Sequence, residues 1–112
     1  MRRVVWIKSA RKEFERFPEL AQNRIRDALD LANAGAKSDI AKPLSGFGSG
    51  ILEIALSFRG DAFRVVYFLQ IKDQLWVIHA FQKKSTSGIS TPKHEIELIK
   101  SRIRQIKDLK DD

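Results

Sequence analysis

Cysteine is absent from this 112-residue chain, which excludes disulfides, thiolate zinc sites and cysteine nucleophiles. Repeats and low-complexity tracts are also absent, and no apolar run approaches the roughly 20 residues that cross a bilayer. The short run Val4 to Ile7 after the basic N-terminus is too brief for the core of a signal peptide. These absences predict a cytoplasmic protein with no membrane partner.

Positive charge is in excess. Lysine and arginine number 21 against 14 aspartates and glutamates, which gives a net charge of +7. Such a surface attracts polyanions over about 8 Å in physiological salt, so nucleic acid, anionic lipid and acidic protein are the candidate partners. The length, with 43% hydrophobic residues, predicts one domain over residues 1–112 with its own core.

Hydrophobic patterning predicts the order strand, helix, helix, three strands, helix, which is an α+β fold with helices against a small, mainly antiparallel sheet. The strands are expected at 4–7, 51–58, 63–71 and 75–82, with a turn at 59–62 and loops at 36–50 and 85–90. The first predicted helix covers 11–17, with Ser9 as its N-cap. The second begins with Pro18 at N1 and ends before Gly35 at C′. The third has Thr91 as N-cap and Pro92 at N1. The expected apolar stripes are Leu20, Ile25, Ala28, Leu29 and Ala32 in the second helix, and Ile96, Ile99, Ile103 and Ile106 in the last, where Arg102 and the lysines take other faces.

Arg64 is the most informative anomaly, because it interrupts an apolar strand, Phe63 to Phe68. It either pairs with Glu53 across the sheet or serves as a cation fixed on a rigid strand. His79 likewise is either a hydrogen-bonded core histidine or a catalyst. His94 is expected at the surface.

Further cations lie where strands end. Lys83 and Lys84 follow the last predicted strand, and Arg59 lies in the turn, so they and Arg64 can share one rim of the sheet with the aromatic side chains of Tyr67 and Phe81. Such a surface suits RNA, which is held by phosphate charge and base stacking.

Strand register decides which of these groups meet. Alternation places Arg64 on one face with Val66 and Phe68, and Tyr67 on the other with Val65, while His79, Phe81 and Lys83 share a face of the next strand. If Ile71 opposes Leu75, Arg64 faces Gln82 and Tyr67 faces His79. A shift by one residue pairs Arg64 with Lys83 instead, and the sequence leaves both registers open.

Metal and cofactor motifs are not evident. The sequence has no His-x-x-x-His, paired aspartate or Asp-x-Asp pattern, and no Gly-x-Ser-x-Gly elbow. We therefore expect chemistry without a metal or cofactor.

Three motifs in order carry a family resemblance: Phe-Arg-Val-Val-Tyr at 63–67, His-Ala-Phe-Gln-Lys-Lys at 79–84, and Thr91-Pro92 followed by Glu95-Ile96. Together they resemble the HigB-like, phage-derived branch of the RelE/ParE toxin superfamily, over nearly the whole chain. The resemblance implies a RelE-like fold with an N-terminal helical hairpin and a C-terminal helix. It also implies a bacterial type II toxin whose partner is a cognate antitoxin, expected to be a helix-turn-helix protein of the HigA type.

Site residues follow from the same resemblance. RelE-side members cleave messenger RNA without metal, usually on the ribosome, and Arg64 corresponds to their strand arginine near the scissile phosphate. Lys84 matches a basic residue at the strand end, with Lys83 beside it. The segment 53–55, Glu-Ile-Ala, lacks an arginine that many relatives carry, and Gly88-Ile89-Ser90 stands where some relatives have a tyrosine. Candidates for the missing roles are His79, Glu53, Arg59 and Tyr67.

The predicted activity is therefore endoribonucleolytic, with Arg64, Lys83, Lys84 and His79 as catalytic residues and Arg59, Tyr67 and Phe81 as substrate-binding residues. The 2′-hydroxyl would be the nucleophile, cations would stabilise the phosphorane-like transition state, and His79 or a lysine with a depressed pKa would be the base. Two alternatives stay open at this point. One is a ParE-like gyrase inhibitor, and the other is a noncatalytic protein that binds RNA or antitoxin.

Overall fold

The computed structural model describes residues 3–69, 74–84 and 91–110. Within these ranges three helices pack on one five-stranded sheet, which confirms the predicted α+β class. None of the described helices is long and apolar enough to span a membrane. The elements are β1 Arg3–Trp6, α1 Lys8–Phe14, α2 Glu19–Asn33, β2 Ala41–Pro43, β3 Ile51–Phe58, β4 Asp61–Leu69, β5 Gln74–Lys83 and α3 Lys93–Lys110.

The sheet has the strand order β1-β5-β4-β3-β2. Strand β1 runs parallel to β5 at one edge, and every other pairing is antiparallel. Because β1 pairs with β5 only as far as Val77, the second half of β5 has no strand on its outer side among the described residues. This half of β5 is the part that carries His79, Phe81 and Lys83.

Strand β2 was not expected, because it lies inside the segment 36–50 that the sequence predicts as loop. It pairs with β3 at the other edge of the sheet, where Ala41 lies opposite Ile54 and is buried. Lys42 and Pro43 are exposed, so the strand has no apolar alternation to reveal it. An edge position also tolerates proline, which cannot donate to a ladder.

The turn between β3 and β4 is shorter than predicted. It contains two residues instead of four, Arg59 and Gly60, with φ angles of +52° and +84°. Two consecutive positive φ angles identify a type I′ turn, whose twist matches that of the flanking strands. An arginine in this conformation is uncommon, since a side chain there meets the following carbonyl.

Helix α1 begins earlier than the sequence predicts. The N–H of Ile7 still bonds to the carbonyl of Val77 as if it belonged to β1, and the carbonyl of Ile7 then accepts the first helical bond, from Arg11. Ile7 is thus the N-cap, and Ser9 lies inside the helix, so the predicted Ser9 cap is wrong. The pairing of β1 with β5 fixes where the chain can turn into the helix.

Helices α2 and α3 each begin one residue later than predicted, so that Pro18 and Pro92 precede the first helical residue. The carbonyl of Pro18 accepts from Gln22 and that of Pro92 accepts from Ile96, so each is an N-cap instead of an N1 residue. Thr91 is consequently outside the last helix. A proline at N-cap costs no hydrogen bond, because its carbonyl is the group that the helix uses there.

Helix α2 ends as predicted. The amide of Gly35, at φ +88°, bonds to the carbonyl of Ala32, and that of Ala36 bonds to the carbonyl of Leu31, which is a Schellman motif. The predicted apolar stripe of this helix is wrong at its first residue. Leu20 is 56% exposed, and Ala21 is buried in its place.

The sheet is covered on both faces. Helices α1 and α2 pack on one face over a core that includes Phe14, Ile25, Phe63 and Tyr67. Helix α3 packs on the other, where its isoleucines meet residues of β3, β4 and β5. This second core consists of Ile51, Val66, Phe68, Ile78, Ile99, Ile103 and Ile106. Of the predicted α3 stripe only Ile96 is incompletely buried.

A β-bulge in β5 sets the register next to β4. Val66 lies opposite His79 and Tyr67 opposite Val77, so Ile78 is the extra residue. A bulge directs neighbouring side chains to the same face. Ile78 and His79 therefore both project toward α3, where Ile78 joins the core.

Both predicted registers are wrong. Arg64 lies opposite Phe81, not Gln82 or Lys83, and Tyr67 does not face His79. The cause is the pairing of Leu75, which lies opposite Leu69 and not Ile71, and the bulge then moves the pairing by one residue toward the predicted one. Residues 70–73 and 85–90, with the end of the strand predicted at 63–71 and the loop predicted at 85–90, lie outside the described ranges.

Candidate functional site

Several predicted cations meet at one end of the sheet. Lys83 pairs across the ladder with Ala62, which brings the end of β5 beside the turn that holds Arg59. The Arg59 side chain is exposed, and its guanidinium lies 4.9 Å from the centre of the Phe58 ring. Lys83 is half-buried and Lys84 is exposed. Three of the residues singled out in the sequence thus form a basic rim, defined as Arg59, Lys83 and Lys84.

Arg64 lies one step inward on the α3 face. Its Nη1 is 3.2 Å from Oε1 of Glu53, and the two side chains are only 14% and 2% exposed. The two residues are diagonal neighbours, since Glu53 lies opposite Val66 and Ala55 opposite Arg64. The ion pair that the sequence left as one of two readings is therefore formed. Oε2 of Glu53 is buried and has no hydrogen-bond partner among the described residues.

His79 is the centre of a buried polar network between β5 and α3. Its Nε2 lies 2.7 Å from Oε1 of Glu95, and its Nδ1 meets Nη1 of Arg102. The same guanidinium nitrogen donates to the carbonyl of Ile78 at 3.1 Å. Because a guanidinium can only donate, Nδ1 must accept, and the proton of the neutral ring lies on Nε2. His79 therefore donates to the Glu95 carboxylate.

The surroundings keep His79 neutral. Burial is the main influence and lowers the pKa of the imidazole below its usual 6.5, and the Arg102 charge lowers it further against the opposing effect of Glu95 and Glu13. Burial likewise lowers the pKa of the Arg102 guanidinium, which stays charged at neutral pH because the pKa of an arginine lies far above that range. With 3% exposure and both ring nitrogens bonded, His79 has no free lone pair for a substrate proton. Its predicted role as a free base is incompatible with this geometry.

Glu95 opens to solvent where His79 does not. Its side chain is 15% exposed, and its Oε2 lies 3.0 Å from Nε2 of the exposed His94. It borders a cleft of about 380 Å³ between α1, the outer side of β5 and the first turns of α3. The cleft is lined by Ser9, Glu13, His79, Ala80, Phe81, Gln82, His94, Glu95, Leu98 and Arg102.

Glu95 and Arg102 are the residues that the sequence reasoning missed. Arg102 was assigned to another face of the last helix, which is wrong. Positions 95, 99, 102 and 106 follow the spacing 4, 3 and 4, so both charged residues share the stripe of Ile99 and Ile106 that faces the sheet. Two opposite charges on the otherwise apolar stripe of the last helix are the sequence signal from which these two residues could have been predicted.

Two predicted substrate-binding residues are packing residues. Tyr67 is 1% exposed in the core beneath α1 and α2, on the face opposite Arg64, and burial raises the pKa of its phenol. Phe81 is 4% exposed, with its ring centre 5.6 Å from that of His79. Neither ring presents a surface on which a base can stack. Within the described residues no group of three His, Asp or Glu side chains is arranged to hold a metal ion.

Comparison with known proteins places the sequence. Residues 12–104 match the family model described as phage derived protein Gp49-like (DUF891). The chain belongs to this Gp49-like family. No curated protein matches the sequence significantly.

Solved structures with the same fold include RelE toxins. The Gp49-like chain is similar to the isolated Escherichia coli RelE toxin, with 17% identity, a TM-score of 0.60, and coverage of 90% of this chain and 98% of that one. A double arginine-to-alanine mutant of E. coli RelE in the free state gives 16% identity, a TM-score of 0.58, and coverage of 92% and 95%. The predicted RelE-like fold is confirmed, and the match to a phage-derived family agrees with the predicted phage-derived branch.

Proposed function

We propose that this Gp49-like protein is the toxin of a type II toxin-antitoxin system and acts in the cytoplasm as a metal-independent endoribonuclease on messenger RNA. The observation that carries the proposal is the basic rim, where the β3–β4 turn and the end of β5 bring Arg59, Lys83 and Lys84 together on a RelE-like fold. A net charge of +7 adds long-range attraction for RNA.

In this proposal cleavage uses the RNA, the side chains of the protein and water. The 2′-oxygen attacks the adjacent phosphorus, the bond from phosphorus to the 5′-oxygen breaks, and the products are a 2′,3′-cyclic phosphate and a 5′-hydroxyl end. Negative charge accumulates on the phosphorus oxygens in the transition state. We assign Lys83 and Lys84 to that charge and Arg59 to a neighbouring phosphate, because cations fixed before the reaction stabilise it most.

Arg64 is assigned a supporting part in the same step. Its pairing with Glu53 at 3.2 Å holds the guanidinium in one position on a rigid strand. Since Glu53 compensates its charge, Arg64 contributes less net positive potential than the exposed Lys84. The lysines at the rim are therefore the main source of charge stabilisation in this proposal.

The partners follow from the same assignment. An antitoxin that neutralises this toxin is proposed to be a small helix-turn-helix protein of the HigA type, with an acidic contact surface complementary to the net charge of the toxin. The RNA substrate is proposed to be messenger RNA on the ribosome.

Expression of the isolated chain, followed by mapping of transcript 5′ ends, tests the proposal. Growth arrest with discrete new 5′ ends is expected from the wild type, and neither from Lys83→Ala/Lys84→Ala. Lys37→Ala is the matched control, because this exposed lysine lies in the loop after α2. Intact transcripts together with loss of DNA supercoiling would instead favour gyrase inhibition.

A further inference from the structure

We propose that Glu95 is the proton-transfer group of the site and that His79 and Arg102 are positioning residues that hold it. This inference rests on the proposed ribonuclease function, and it assigns the base for the step in which the cations of the rim stabilise the transition state. It starts from one observation, the continuous chain of hydrogen bonds from Arg102 through His79 to a carboxylate at the wall of the cleft.

The direction of each hydrogen bond is determined. Arg102 donates to Nδ1 of His79, and Nε2 of His79 donates to Oε1 of Glu95 at 2.7 Å. Glu95 is therefore held as an acceptor, which is the state that a base must have before reaction. Each carboxylate oxygen has two lone-pair sites, so the contacts with His79 at Oε1 and with His94 at Oε2 leave capacity for a substrate hydroxyl.

The position of Glu95 suits a substrate that approaches from the end of β5. The cleft includes Phe81 and Gln82, the residues directly before Lys83, and it lies on the outer side of β5 that β1 leaves uncovered. RNA bound to the basic rim can thus extend a nucleotide toward the carboxylate. The 15% exposure of Glu95 gives access, whereas the 3% exposure of His79 does not.

The proposed step balances as follows. Glu95 takes the proton of the 2′-hydroxyl as the bond from the 2′-oxygen to phosphorus forms, and the departing 5′-oxygen takes a proton from water. Glu95 then returns its proton to solvent. The charged or titratable groups that face it are His79 from β5, Arg102 and His94 from α3, and Glu13 from α1.

Anchoring of α3 is the competing explanation for this network, since Glu95 and Arg102 also tie the helix to β5. Substitution by glutamine separates the two roles. Glu95→Gln keeps an oxygen that accepts from His79, but it cannot take a proton. An anchor survives this change, and a base does not.

The test measures cleavage of a short RNA by the purified full chain as a function of pH, with binding and melting temperature in parallel. Glu95→Gln should bind RNA and melt like the wild type while its single-turnover rate falls by about 100-fold or more. We expect the cleavage rate of the wild type to fall at acid pH and the residual rate of Glu95→Gln to lack that fall. Glu97→Gln, two residues along and exposed, is the matched control and should cleave like the wild type.

Further variants keep the test decisive if Glu95→Gln folds poorly. Glu95→Asp preserves the charge but withdraws the carboxylate by one methylene, and we expect it to fold and to lose at least about tenfold in rate. His79→Gln should lose rate as well and change the acid limb of the pH profile, which loss of an anchor would not do. Folded Glu95 variants that cleave within threefold of the wild type, while Lys83→Ala/Lys84→Ala is inactive, would overturn the inference and leave the ribonuclease function intact. Absence of cleavage by the wild type would overturn both.

Discussion

Replacement of Arg64 by alanine distinguishes a structural ion pair from a residue that acts only on RNA. The carboxylate of Glu53 is almost fully buried, at 2% exposure, and Arg64 is the partner of its Oε1 at 3.2 Å. At an effective dielectric constant of 20, two unit charges at this distance attract by about 5 kcal/mol. Removal of one member of a buried pair typically costs about 3–5 kcal/mol, because the other charge stays buried without compensation. Arg64→Ala should therefore lose a large share of the roughly 5–15 kcal/mol that stabilises a small domain.

Urea unfolding followed by circular dichroism measures this loss as a lower midpoint at an unchanged slope. Glu53→Gln added to Arg64→Ala should recover part of the stability, since the buried charge is then gone. Arg64→Met with Glu53→Leu fills the same space without charge and should fold with near wild-type stability. Cleavage by that folded double variant then reports on what the charged pair of Arg64 and Glu53 contributes to the reaction. If Arg64→Ala unfolds within about 0.5 kcal/mol of the wild type, as a surface substitution does, the ion pair is not structural and this reasoning is refuted.

Other predictions concern the rim and the buried histidine. Lys84→Ala should keep the wild-type urea midpoint and lose about 100-fold in cleavage rate. Lys37→Ala should change neither quantity. Equal cleavage rates for the two variants would show that Lys84 is not part of the site. Arg59→Asn keeps a residue that tolerates positive φ, so the hairpin should stay folded while RNA affinity falls; unchanged affinity at low salt would contradict the role of Arg59. Because the folded pKa of His79 lies below its unfolded value of about 6.5, the unfolded chain binds the proton first. The contribution of His79 to the free energy of unfolding should thus be complete above about pH 6.5 and decrease as the pH falls below it. His94→Ala, the control, should lose stability at acid pH like the wild type. An equal loss of stability at acid pH in His79→Gln would contradict this assignment.

The sequence predicted most of the fold, because its longer elements have clear periods. The apolar runs of β3, β4 and β5 and the isoleucine spacing of α3 each identify an element and the face that it buries. The glycine after α2 marked the helix end correctly because positive φ is required there. Strand β2 was missed because three residues with two exposed side chains carry no period.

Register was beyond the sequence for a physical reason. The bulge at Ile78 has no composition signal, since an apolar residue at this position fits a regular strand equally well. The predicted register with Ile71 opposite Leu75 failed because Leu75 pairs with Leu69, a displacement of two residues that also separates Tyr67 from His79. The correct face assignments of Arg64 and Phe81 needed only alternation, which the bulge does not disturb on either side.

The candidate site was predicted in part. The basic rim could be inferred, because a hairpin turn and the end of the next antiparallel strand lie at the same end of a sheet. The network of Glu95 and Arg102 could not, since it depends on how α3 is placed over β5, and residues distant in sequence meet there. The burial of Phe81 was not predicted either. Alternation assigns Phe81 to one face of the sheet, but it does not show whether that face is covered by other residues.

Cleavage of RNA in the presence of a metal chelator tests the central claim most directly. The purified chain, free of antitoxin, is incubated with messenger RNA on ribosomes and with naked RNA, and the ends of the products are determined chemically. Attack by the 2′-hydroxyl predicts discrete fragments with 5′-hydroxyl and 2′,3′-cyclic phosphate ends from the wild type, and none from Lys83→Ala/Lys84→Ala. Intact RNA in both preparations, or cleavage that continues unchanged in the double lysine variant, would contradict the account.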